Sequence, residues 1–359
     1  MLRMKRFWFL LLAMIMTFSF IGCSSNEAAK MTPEDKSDSK VEAPAKEENK
    51  QEVKDEDKGK VVVYSAGPKG LSSAIQEKFE AKTGIKMELV QSTTGKILGK
   101  LEAEKTNPIA DVAVLASWPS AMGLKTEGMT QAYPEAKNAD KLNEGWKDED
   151  NHIFGYSGSA LGITYNTELV TKPGEDWIDY TKSEWKGKVN IPDPSLSGSC
   201  MDFVSGYLYS YPDNGWDLFE GLKANEVSVA GANKVALEPV ITGAKSVVLA
   251  GVDYMAYSNK AKGEPVDIVY PKSGTVVNPR AVVILRDAKN VENAQALVDF
   301  MLTEEAQRLV MDAYILPGRK DLKCTNRANL DEIPLLTYDW NTMMENQEEN
   351  ITKFIEIFK

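Results

Sequence analysis

The chain has 359 residues, with 42 Lys and Arg against 53 Asp and Glu and a net charge of −11 at neutral pH. That acidic surplus excludes nucleic acid and anionic lipid surfaces as partners of the folded surface. A single histidine, His152, and three cysteines without CxxC spacing give no basis for a His-rich or cysteine metal centre, or for an acid–His–nucleophile set. His152 reads as a polar loop residue ahead of a strand.

Arg3, Lys5 and Arg6 precede an apolar run from Phe7 to Ile21 that ends at Gly22-Cys23. The run falls short of the ~20 residues of a membrane span and is followed by small residues, the layout of an export leader over residues 1–22. Phe20-Ile21-Gly22-Cys23 resembles a bacterial lipobox, which implies that Cys23 is lipidated and begins the mature chain. Two acyl chains suffice for stable anchoring. Residues 23–59 are charged and almost free of large apolar side chains, so they are expected to form a disordered tether. Without Cys23, Cys200 and Cys324 remain, and their spacing leaves open whether they pair.

About 300 residues follow, enough for one large or two medium lobes, each with its own core. Val61 to Tyr64 form a β-branched run ending in Ser65-Ala66-Gly67, a buried strand. Leu71, Ile75 and Phe79 are spaced as a helix stopped at Gly84. A strand over 85–91, a helix stopped by Asn107-Pro108, and a strand over 110–117 continue the alternation. This order predicts a mostly parallel sheet flanked by helices. The Gly- and Ser-rich stretch 153–166 is expected to cross to a second lobe and 266–285 to cross back, making two cross-lobe strands and a hinge. Residues 293–313 read as an amphipathic helix pair. The expected parts are lobe 1 over 60–157, lobe 2 over 158–272, a return to lobe 1 over 273–318, and C-terminal helices over 319–359.

Ligands of open parallel sheets bind beyond the carboxyl ends of the strands. Those ends carry Ser65-Ala66-Gly67, Thr93-Thr94, Ser117, the run from Asp193 through Ser197, Gly198 and Ser199, and Asp253-Tyr254. A further polar turn, Ser273-Gly274-Thr275, lies on the return crossing. Hydroxyls and helix-start amides of this kind cap helices and also donate to anions. Lys69, Lys96, Lys272 and Arg280 supply the nearby positive charge. Trp118 reads as core before stacking platform, and Tyr254 and Tyr257 share a helical face. Ser92-Thr93-Thr94-Gly95-Lys96 lacks the first glycine and the spacing of a nucleotide P-loop.

The blocks 61–112, 185–199 and 260–274, with "YSAG", "STTGK", "IPDPSLSGS" and "YPKSG" in that order, resemble extracellular solute-binding proteins of ABC importers. The similar branch takes in binders of ferric iron, 2-aminoethylphosphonate, thiamine and sugar phosphates. The resemblance implies an α/β, two-lobed periplasmic-binding-protein fold of type II, each lobe a mostly parallel sheet flanked by helices, with two cross-lobe strands as hinge. It implies a non-enzymatic, monomeric receptor with no resident cofactor that delivers a small anionic solute to an ABC permease from outside the cytoplasm, tethered to the cell membrane by its lipid. The anion site falls on Ser197, Gly198 and Ser199. Ferric members use a first-loop histidine and adjacent tyrosines; here that loop is Ser65-Ala66-Gly67-Pro68, and the pair falls on Asp253-Tyr254. The expected cargo is therefore a phosphorylated or phosphonate compound, with Asp253 and Tyr254 reading its organic part. Fe³⁺ on Asp253 and Tyr254 is the alternative, and a secreted hydrolase the reading from another class.

Overall fold

A computed structural model of the chain describes residues 58–359. The expected leader, Cys23 and nearly all of the tether lie outside the described residues. The body opens with β1 (Lys60–Ser65), α1 (Lys69–Thr83), β2 (Lys86–Gln91), α2 (Thr94–Ala103), β3 (Val112–Leu115), α3 (Trp118–Thr126), β4 (Thr130–Gln131) and β5 (Ile153–Asn166). It continues with β6 (Val189–Ile191), α4 (Gly198–Ser210), α5 (Gly215–Ala224), β7 (Ser228–Val229), α6 (Asn233–Ile241), β8 (Val247–Val252), α7 (Asp253–Ala261) and β9 (Val266–Val269). It closes with β10 (Val277–Leu285), α8 (Val291–Met301), α9 (Glu304–Asp312), β11 (Leu316–Pro317), α10 (Trp340–Glu345) and α11 (Gln347–Phe358).

The strands run in the order β2-β1-β3-β10-β5-β8-β6-β7, with β4 on β10 and β9 and β11 on β5. β1 pairs in parallel with β2 and β3, and β6 in parallel with β7 and β8, while β10 and β5 are antiparallel to their neighbours. The apolar runs that form β1, β3, β8 and β10 are buried along almost their whole length, as strands covered by helices on both faces must be. Around β1–β3, one core holds Phe79, Leu297 and Val310 from α1, α8 and α9, and another holds Ile97, Trp118 and Leu124 from α2 and α3. Around β6–β8, Phe203, Phe219 and Phe354 fill one side and Ala236 and Val240 the other. Local stops follow ordinary chemistry: Gly84 ends α1 at φ 75°, its amide bonded to Glu80 O at 2.9 Å.

Two strands join the halves. β5 passes from pairs with β10 and β11 to pairs with β8 and β9. The return strand is β10 alone: β9 pairs within the second lobe, and Pro271 to Thr275 break the run that the sequence read as one crossing over 266–285. Ser157 and Ser159 stand opposite Arg280 and Asn278, and the register slips between Arg280 and Ala281, leaving Tyr156 without a partner residue. Such a bulge bends and twists the strand locally. Gly158 lies beneath Trp146, where an ideal Cβ would stand 2.1 Å from the indole Cη2. The segment 318–339 is largely irregular, so the C-terminal helices begin only at Trp340. α10 rests on both α3 and α4, and Trp340 packs against cores of both lobes. Cys200 and Cys324 are both buried and unpaired.

A buried polar contact also spans the lobes. Ser117 Oγ, at the start of α3, donates to Asp202 Oδ1 of α4 at 2.7 Å, and neither residue reaches solvent. Burial pushes the Asp202 carboxyl well above the usual range; the Ser117 hydroxyl and the Trp118 amide oppose the shift without cancelling it. The folded protein therefore holds this proton more tightly than the unfolded chain. Stability from this group is fully present below the unfolded value, near pH 4, and is lost as pH rises towards the folded value.

Two expected outcomes follow from these contacts. Thermal unfolding across pH 4 to 8 should show Asp202→Asn losing less stability with rising pH than the wild type, and parallel curves would exclude Asp202 as the source. Gly158→Ala should destabilise the protein by about 1–3 kcal/mol in urea unfolding, because the tryptophan must move out of a close-packed site.

Candidate functional site

Two groups of polar side chains meet where the lobes face one another. The first is built on the start of α4. Ser197 caps the helix, its Oγ accepting the Cys200 amide at 3.3 Å, and lies 3.1 Å from Ser199 Oγ. Asn233 Nδ2, from the start of α6, donates to both hydroxyls at 2.8 and 3.0 Å. The first-turn amides of a helix have no partner within it and favour negative charge. Across the gap, Thr94 Oγ1 accepts the Ala116 amide at 3.1 Å, and Ser117 caps α3 through the Ser120 amide. The backbones approach closely here. A Cβ on Gly198 would stand 2.8 Å from Ala116 O, and one on Gly95 would stand 2.5 Å from Ser195 O. Thr94, Ser117, Ser197, Gly198 and Ser199 are thus brought together. Thr93 Oγ1, Asn233 Oδ1 and Asn278 Oδ1 are buried nearby along the same elements without a hydrogen-bond partner.

The second group lies along β5, β10 and the first loop. Ser65 Oγ accepts the Gly67 amide at 3.0 Å and sits 3.2 Å from Ser72 Oγ. A Cβ on Gly67 would meet Tyr156 Oη at 3.3 Å, so the glycine lets the phenol approach the loop. The Ala66 amide is spent on Val114 O at 2.8 Å, so it does not serve as a free donor.

Arg280 is the centre of this group. Only 2% exposed, it donates to Ser157 Oγ at 3.2 Å and Ser159 Oγ at 3.4 Å, and its Nε has no partner. Its guanidinium carbon lies 5.8 Å from the centre of the Tyr254 ring. The two other buried arginines each have a carboxylate, Arg319 with Asp321 and Arg327 with Asp253; Arg280 has none among the described residues. Asn278 and Arg280 are two apart on β10 and share a strand face, and Asn278 Nδ2 bonds Ala116 O at 3.0 Å, which links the two groups. Of the other cations considered from sequence, Lys69 and Lys96 are exposed and Lys272 is turned to Glu175 at the surface.

Burial raises the phenols of Tyr156 and Tyr254 above the usual tyrosine value, with Arg280 opposing the shift only in part. Both therefore remain protonated donors at neutral pH. Tyr254 also lines an interlobe cavity of about 560 Å³ with Leu71, Leu237, Met255 and Tyr314.

Asp253 differs from its expectation as an acceptor open to ligand. Its Oδ2 accepts Arg327 Nη2 at 2.5 Å, Tyr270 Oη at 2.9 Å and the Ala160 amide at 3.2 Å, while Oδ1 accepts the Tyr254 amide at 2.8 Å. The cause is a cation 74 residues away in sequence, which no local reading finds. Tyr257 turns to that network as well, with Tyr270 Oη at 3.3 Å, instead of sharing a ligand face with Tyr254. Ser273 and Thr275 bond Asp176 and Leu161 O within the second lobe, and Trp118 is core. His152 Nδ1 bonds Thr130 Oγ1 at 2.8 Å. Among the described residues, no three His, Cys, Asp or Glu side chains are placed to share a metal ion. Ser157, Ser159, Tyr156 and Asn233 were not singled out from sequence. The available signal was Arg280, a charge inside the otherwise apolar run of β10.

Comparison with known proteins follows the same line. Residues 107–346 match the family described as bacterial extracellular solute-binding protein. The chain is 26% identical over 269 residues to iron uptake protein A1 of Synechocystis, covering 71% of this chain and 74% of that protein. It is 25% identical over 275 residues to a putative 2-aminoethylphosphonate-binding periplasmic protein of Salmonella typhimurium, covering 73% and 80%. The structure of the periplasmic binding protein AfuA from Actinobacillus pleuropneumoniae, with fructose-6-phosphate bound, superposes with a TM-score of 0.78 at 24% identity, covering 84% of this chain and 99% of AfuA. The fold is that of type II periplasmic binding proteins. With two lobes, two cross-lobe strands and polar groups converging between them, the chain belongs to the bacterial extracellular solute-binding protein family and is the substrate-binding component of an ABC importer.

Proposed function

We propose that this receptor captures a small phosphorylated or phosphonate solute between its lobes. The observation that carries the reading is Arg280, a guanidinium buried at 2% exposure that has, among the described residues, no carboxylate beside it and no partner for Nε. A buried charge left uncompensated costs several kcal/mol, and a planar guanidinium matches phosphoryl oxygens in both charge and shape. The hydroxyls of Ser65, Ser157 and Ser159, the protonated phenols of Tyr156 and Tyr254, and the helix-start group at Ser197, Gly198 and Ser199 with Thr93 and Thr94 complete a donor-rich wall, while Ser117, whose hydroxyl is given to Asp202, positions it. A solute bridging both lobes binds the closed form better than the open one and so drives closure. No resident cofactor enters this scheme, and the receptor works as a monomer. The alternative cargo is Fe³⁺, for which Tyr156 and Tyr254 supply two oxygen atoms. Against it stand the raised phenols, which must lose their protons to bind iron, and the Arg280 charge, which favours the phenolate but repels a cation held beside it.

Calorimetric titration with sugar phosphates, alkylphosphonates, inorganic phosphate and Fe³⁺-citrate tests the reading. At least one phosphoryl compound should bind, and Arg280→Met should weaken it by about 2 kcal/mol or more, roughly thirtyfold. A tyrosinate-to-iron absorption band with Fe³⁺-citrate, and no response to any phosphoryl compound, would overturn it.

The receptor is further proposed to be held at the membrane by lipid on Cys23. Cys23→Ala should move the protein from the membrane fraction to the medium; retention at the membrane would count against lipidation.

A further inference from the structure

The saturated state of Asp253 bears on which phosphoryl compounds fit. Arg327 belongs to the irregular segment after β11, and that segment is fastened to the first lobe. Arg319 bridges to Leu142, Asn326 Nδ2 bonds Met311 O at 3.0 Å, and Arg327 Nη1 bonds Tyr314 O at 3.0 Å. From there Arg327 reaches the start of α7 in the second lobe. Its side chain and that of Asp253 are both 0% exposed. Besides the Asp253 bond, its Nε donates to Ala328 O at 2.8 Å, Nη2 lies 3.3 Å from Tyr270 Oη, and the guanidinium lies 5.2 Å from the centre of the Tyr257 ring. Both oxygens of Asp253 are engaged within the protein and the carboxylate is 0% exposed, so it is not open to a solute beside Tyr254.

The buried charges behind Tyr254, the residue that reaches the cavity, then sum simply. Asp253 and Arg327 cancel, and Arg280 remains. Asp202 is turned into its contact with Ser117, and the acidic side chains that line the cavity, Glu238, Glu264 and Asp312, are exposed to solvent and accompanied by Lys234 and Lys262. An anionic group entering the cleft meets a compensating cation. An ammonium group carried on the same solute finds Asp253 already paired with Arg327 and, away from the solvent-exposed acids of the cavity wall, must shed its water without a partner.

We infer that Arg327 is a specificity-determining residue: by occupying Asp253 it restricts the cleft to phosphoryl solutes that carry no ammonium group, such as phosphate monoesters of hydroxylated compounds, and turns away aminoalkylphosphonates and amino-sugar phosphates. The inference rests on the phosphoryl reading. It goes beyond that reading by separating compounds that share the same anionic head.

The test uses two pairs of solutes that differ by one ammonium group: ethylphosphonate against 2-aminoethylphosphonate, and glucose 6-phosphate against glucosamine 6-phosphate. Calorimetry on the wild-type protein should show the ammonium-free member of any binding pair held at least tenfold more tightly. Equal or tighter binding of the ammonium-bearing member overturns the inference while leaving the phosphoryl reading intact. Binding of none of the four, with Fe³⁺-citrate binding instead, removes the phosphoryl reading and the inference with it. Arg327→Met frees Asp253 and should shrink the ratio within a pair at least fivefold; an unchanged ratio in a folded variant overturns the assignment to Arg327. Should that variant fail to fold, the wild-type ratios decide the matter alone.

Discussion

Strands β5 and β10 have to carry the main chain between two cores while keeping one face polar enough to meet a solute. Their antiparallel pairing sets Ser157 and Ser159 against Arg280 and Asn278 on one face. The neighbouring position, Gly158, is stripped of its side chain so that Trp146 can close the core behind it. Alternation of side chains along a strand is what makes both demands compatible within a few residues. The bulge beside Arg280 frees Tyr156 from the pairing, and its ring stays in the first lobe's core while its hydroxyl reaches the Gly67 loop. Shifting that register by one residue would turn the serines into the core and the glycine towards the cleft.

The electrostatics of the cleft follow from how two buried arginines are compensated. Arg327 brings its charge across from the C-terminal segment and meets Asp253, so both charges are satisfied inside the protein. Among the described residues, Arg280 has only hydroxyls and an aromatic face beside it. Hydroxyls solvate a cation without neutralising it, and the remaining charge is the chemical reason for proposing an anionic solute. Ser197 caps a helix at the place where the proposed anion site lies. Its hydroxyl caps α4, and the helix it starts directs its first amides to the same gap as Thr94 and Ser117. The cap spends one first-turn amide, that of Cys200, so a cap and an anion site can coexist on the remaining donors.

Much of the architecture was legible in the chain itself because it is written at short range. β-Branched runs bounded by small residues, helical spacing of Leu71, Ile75 and Phe79, and stops such as Gly84 are local properties, and the strand-helix order follows from them. The hydroxyl-bearing turns at strand ends were legible for the same reason. The limits of the second crossing were not: β9 and β10 are both apolar strands, and only their partners show that one stays in the second lobe while the other returns.

The charges of the cleft were decided by tertiary structure. By itself the sequence determined the fold class, the alternation of buried strands with helices, and the presence of small polar turns where a ligand would sit, since those depend on periodicity and backbone preference. It displayed Asp253 and Arg327 as two ordinary charged residues 74 positions apart, and Arg280 as one cation among four near the turns. Folding buried Arg280 without a carboxylate and spent Asp253 on Arg327. Whether a charge is free or cancelled depends on neighbours and dielectric, and both are properties of packing that no short window of residues contains.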